Sequence, residues 1–72
     1  MISYFVCQIS GRLTLGTMIE RSNLEDALEL TKEIVQENSV KLTQSIINEI
    51  NTNYGYVDDD LQWSVQIGIV EN

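Results

Sequence analysis

Apolar side chains recur every second residue at both ends of this chain and at helical spacing in the middle, which predicts strands flanking helices. Leu61, Trp63, Val65, Ile67 and Ile69 alternate with Gln62, Ser64, Gln66 and Gly68, the pattern of a strand with one buried face. Leu13 to Glu20 alternates too: Leu13, Leu15, Thr17 and Ile19 share one side, with Thr14, Gly16, Met18 and Glu20 on the other. Ile2 to Ser10 differs, having Phe5, Cys7 and Ile9 on one face and Ile2, Tyr4 and Val6 on the other. A strand apolar on both faces belongs inside a sheet. The turn signal Ser10-Gly11-Arg12 joins the first two strands as an antiparallel hairpin.

Between the strands, Ser22 and Glu25 fit a capping box that starts a helix. Leu24, Ala27, Leu28, Ile34 and Val35 form its apolar stripe, opposite a row of Glu25, Glu29, Glu33 and Glu37. Helical patterning continues through Val40, Leu42, Ile46, Ile47 and Ile50, and Gly55 is placed to end it. One unbroken helix would be about 45 Å long at ~1.5 Å per residue, whereas eight-residue strands reach about 27 Å. The two stripes are also out of phase, which sets Glu49 on the face of the first. Both mismatches predict a break at Asn38-Ser39, with Ser39 capping a second helix. A kinked single helix, supported by Glu37 and Lys41 one turn apart, is the alternative.

The expected fold is α+β in the order ββααβ: a three-stranded sheet, order 2-1-3, with two helices or one kinked helix packed on one face. A chain that reverses at Asn38-Ser39 should lay the last strand parallel to the first, and an unbroken helix should lay it antiparallel. Residues 1–72 are read as a single small domain, near the lower limit at which one core suffices.

Charge narrows the function. Four basic and 11 acidic residues give a net charge of −7, which opposes contact with phosphate backbones and leaves no direct nucleic-acid ligand expected. A larger protein with a basic surface suits the chain better. The sequence holds no histidine, which removes Ser-His-Asp and Cys-His constellations and imidazole metal ligands. Cys7 alternates with Phe5 and Ile9 and reads as a small buried hydrophobe rather than a nucleophile. No catalytic residues and no cofactor are therefore expected. Asp58-Asp59-Asp60 lacks the alternate ligand spacing of a calcium loop, so it reads as a solvated turn and no metal is expected. The unpaired cysteine suggests a reducing, cytoplasmic setting. Apolar runs too short for a bilayer and a start, Met-Ile-Ser-Tyr-Phe, without a basic head give no expectation of a membrane or a leader.

Two surfaces stand out. The acidic one comprises Glu25, Glu29, Glu33 and Glu37 with Asp58, Asp59 and Asp60; carboxylates one turn apart lie about 6 Å from one another, comparable to successive phosphates, so the row resembles a nucleic-acid strand in spacing and charge. The other is the expected outer face of the sheet, with Ile2, Tyr4, Val6, Met18 and Gly68, which no helix remains to cover and which a homodimer would bury. Tyr54-Gly55-Tyr56-Val57 joins the acidic surface to the last strand. Together these features predict a small acidic protein-binding module that regulates or inhibits a larger protein, possessing no enzymatic activity. The alternative is an oligomeric small-molecule-binding or enzymatic domain with a pocket between subunits around Tyr4 and Gly68.

Overall fold

The computed structural model describes residues 1–10, 14–60 and 62–71, without the side chains of residues 14–17. The Gly11-Arg12 turn and the positions of Leu13 and Leu61 lie outside the described residues. β1 (Ile2–Ser10), apolar on both faces, occupies the interior of the sheet, antiparallel to both β2 (Thr14–Arg21) and β4 (Trp63–Glu71). α1 (Leu24–Glu37) and α2 (Gln44–Asn53) follow β2, and a short strand, β3 (Gly55–Val57), pairs antiparallel with the outer edge of β4. The sheet thus has four strands in the order β2-β1-β4-β3, all antiparallel, with both helices on one face.

Two expectations are corrected by β3. The sheet has four strands rather than three, because Tyr56 and Val57 form a ladder too short to show an alternation of its own. The helical region is broken into two helices, yet β4 is antiparallel to β1. β3 runs in the direction of β1, and the β3–β4 hairpin then turns the chain once more. Asp58 N–H closes that hairpin by donating to the Trp63 carbonyl at 3.0 Å.

The helices begin and end through local chemistry. Asn23, one residue beyond the expected Ser22, caps α1: its Oδ1 accepts from Asp26 N–H at 2.9 Å, and its Nδ2 donates to Asp26 Oδ2 at 3.0 Å. Asparagine can both accept from the backbone and donate to the carboxylate, a reciprocal pair that a serine hydroxyl makes less readily. The break falls at Asn38-Ser39, but Ser39 ends α1 instead of starting α2. Ser39 adopts φ 65°; its N–H donates to Gln36 O at 2.9 Å while Val40 N–H reaches back to Val35 O at 3.4 Å. That pair of bonds is a Schellman closure, here with serine in the left-handed position. Val40 and Leu42 consequently lie in a loop, still packed on the core, and Thr43 caps α2 by accepting from Ile46 N–H at 3.3 Å.

The core consists of Val6, Ala27, Ile34, Val35, Ile50, Tyr56 and Val65. Thr31 completes the buried stripe of α1 with its hydroxyl donating to the Ala27 carbonyl at 2.8 Å, so it is buried without an orphaned polar group. Register dictates the facing of β1. Val6 pairs with Ile67 and Ile19, Tyr4 with Ile69, and Gln8 with Val65, so the even residues of β1 share the helix side with the apolar stripe of β4. This overturns the expected facing: Val6, at 0% exposure, and Tyr4 lie under the helices, and Phe5, Cys7 and Ile9 lie on the side without helices. The register of β2 also shifts at Gly16, from Gln8↔Thr17 to Ile9↔Leu15, so strict alternation is not kept along that strand.

Glycine is required at Gly55 for approach rather than for φ, since Tyr54 takes the left-handed position (φ 55°) that ends α2. A Cβ at Gly55 would stand 2.6 Å from the Val65 carbonyl oxygen, a backbone atom in the neighbouring strand. Gly55→Ala should therefore destabilise the fold by about 1–3 kcal/mol through forced separation of β3 from β4. Ser39→Gly should act the other way, adding about 0.5–1 kcal/mol by relieving the left-handed serine. Urea denaturation of the two variants beside the parent chain measures both.

Candidate interaction surfaces

The outward face of α1 carries Glu25, Glu29, Glu33 and Glu37, all four exposed. Their i, i+4 spacing puts them in one row because the apolar stripe holds the opposite side against the sheet. Glu25 and Asp26 sit in the first turn, where the helix dipole favours negative charge. Glu37 sits at the other end, where the dipole opposes it, and the last turn contains no basic residue. The C-terminal half of the row thus runs against helix stability.

Asp58, Asp59 and Asp60 form the β3–β4 turn, in which Asp58 Oδ2 accepts from Asp60 N–H at 3.3 Å. Asp58 and Asp59, together with a residue outside the expected acidic set, Glu49 of α2, act electrostatically on the phenol of Tyr56. Tyr56 is 5% exposed and its ring centroid lies 5.6 Å from that of Trp63, tilted by 46°. Burial, followed by the charges of Asp59, Asp58 and Glu49, pushes its phenol above the ordinary value of 10.0. Glu49 had a sequence signal, its phase on the helix, but the partner strand that brings Tyr56 to it had none. Among the described residues no three potential ligand groups assemble for a metal ion.

The residues expected on the outer sheet face divide between two faces. Met18 and Gly68 lie on the side without helices; Ile2, Tyr4 and Val6 lie on the helix side, Ile2 beyond the reach of the helices and exposed. The helix-free face instead presents Phe5, Cys7, Ile9, Met18, Val57 and Val70, with Ser3, Ser64, Gln66 and Gly68 among them. Met18 and Val70 are 55% and 43% exposed. Tyr4 and Gly68 therefore do not line one pocket. A separate open depression of about 550 Å³ lies at the end of the sheet between Met1–Ser3 and Glu20–Ser22; Arg21 there donates to the Glu20 carbonyl at 3.0 Å. No helix among the described residues is long and apolar enough to cross a membrane. Comparison with protein families, with curated proteins and with solved structures finds no match for this chain.

The Tyr56 environment has a measurable consequence. Above pH 10 the unfolded phenol ionises while the folded one still holds its proton, so the folded chain binds more protons and stability falls with rising pH. The contribution is intact below the ordinary pKa and lost as pH climbs through the raised one. Urea melts from about pH 9 upward should show Tyr56→Phe losing less stability with pH than the parent chain; parallel losses in the two proteins would contradict this assignment.

Proposed function

We propose that this chain is a non-enzymatic, acidic binding module that regulates or inhibits a larger protein by occupying a basic surface of the kind that contacts nucleic acid. The observation that carries the reading is the exposed row Glu25, Glu29, Glu33 and Glu37, which continues to the carboxyl end of α1 with no basic residue there to offset it. Like charges one turn apart each cost a helix a few tenths of a kcal/mol, and Glu37 adds an unfavourable dipole contact. A face that only needed solubility would be served as well by mixed charges. A rigid helix presenting carboxylates at about 6 Å intervals suits arginine and lysine side chains arranged to hold successive phosphates. The overall charge of −7 steers such a partner toward the chain before contact. A cytoplasmic setting accords with the unpaired Cys7.

The reading is tested by binding to nucleic-acid-binding proteins in cell extract, with heparin as competitor. The parent chain should retain a stoichiometric partner that salt and heparin release. Glu29→Lys/Glu33→Lys should lose that partner while keeping the parent's circular dichroism, because both positions are exposed. Undiminished retention by the variant would remove the row from the mechanism.

A further inference from the structure

We propose that a second copy of this chain docks on the helix-free face of the sheet, giving a four-layer dimer with helices outermost and the two sheets stacked in the middle. This does not depend on the acidic row having a partner. Three observations select a second copy over other occupants.

The first is composition. Phe5, Cys7, Ile9, Met18, Val57 and Val70 cluster on this face, and among the described residues Glu20 is the only charged side chain there. The remaining described side-chain charges lie on the helices, on the α1–α2 loop (Lys41), on the β3–β4 turn, or, as with Arg21 and Glu71, on the helix side. Two chains of charge −7 repel one another at nearly every orientation, and stacking these faces is the approach that keeps the carboxylates of both copies in water, apart from Glu20, which lies on the edge strand β2 at the rim. A basic partner has its complement on the helical layer, and a bilayer with anionic headgroups would repel the chain as a whole.

The second is area. Strands of nine, eight, three and nine residues, at ~3.3 Å per residue and ~4.8 Å apart, give a flat footprint of roughly 460 Å². Side-chain relief raises the accessible area further, toward the lower end of the ~600–1,000 Å² that each partner contributes to a standard interface. The molecule measures 35 × 28 × 17 Å, one helical layer on one sheet, so this face is one of its two broad sides. The third is the small core. Among the described residues seven hydrophobic side chains are buried in the monomer, and stacked sheets about 10 Å apart would add a second apolar layer to it. The two-fold contact is self-complementary, with the Gly68 hollow beside Phe5 open to a side chain from the other copy.

Sedimentation equilibrium across micromolar to millimolar protein should give twice the 8.2 kDa of one chain. Met18→Glu/Val70→Glu, which changes two residues already exposed in the monomer, should halve that mass while keeping the parent's circular dichroism. Mass at the monomer value throughout for the parent chain, or a dimer that survives the double substitution, would overturn the proposal. A readout without substitution is the Cys7 thiol, half-buried in the monomer on the same face. Its alkylation by iodoacetamide should slow several-fold as the parent protein is concentrated, and a rate independent of concentration would equally count against the stacked dimer.

Discussion

Two short helices can cover one face of a four-stranded sheet and no more, and the rest of this structure is arranged around that limit. β1 carries apolar residues on both sides, so one set has to be left without a helix. The choice is made by its neighbours. β4 has a single apolar stripe, Trp63, Val65 and Ile67, and its register against β1 places Val6 rather than Phe5 or Cys7 beside that stripe. The helices follow, and Ala27, Ile34, Val35 and Ile50 join Val6 and Val65 in one core on that side.

Much of this was legible in the sequence, and the failures share a cause. The strands β1 and β4, the position of β1 inside the sheet, and the chain break at Asn38-Ser39 follow from periodicity and from a length argument. Periodicity, however, reports that a face is apolar without saying which of two apolar faces is buried; that depends on register with a strand some sixty residues away. The start of α1 was displaced by one residue because Ser22 and Asn23 are both competent caps. Ser39 was misassigned because a polar residue after a helix serves equally as a new cap or as a left-handed terminator, and the bond from Val40 to Val35 decides between them. β3, at three residues, falls below the length at which alternation is measurable, and its absence from the expected fold also inverted the direction of β4.

The acidic row on α1 was visible at once, since it needs only helical spacing. The hairpin acids were visible as a run but not as neighbours of Glu49 and Tyr56, because that grouping is tertiary. Charge and apolar surface are consequently segregated: carboxylates cover the helical layer and the β3–β4 turn, and the opposite face is almost neutral. If two copies stack by their neutral faces, their glutamate rows point away from each other. Such a pair engages two basic partners by bridging them, and it gains avidity only where those partners are themselves clustered.

The strand order has a further consequence, for the time course of folding. β1 and β4 are adjacent at the middle of the sheet although they are the first and last elements of the chain. The β1–β2 hairpin and α1 can form early from local contacts, but the core face stays open along one edge of β1 until the final nine-residue strand arrives. Closing a loop that spans most of the chain costs entropy before any central contact is gained, so the slow step should be the insertion of β4 between β1 and β3. During synthesis the chain would leave the ribosome exit with β1 unpaired on that edge. The strand that completes the sheet is made after every other element of the fold, and removing β4 would take out a central strand instead of fraying a border.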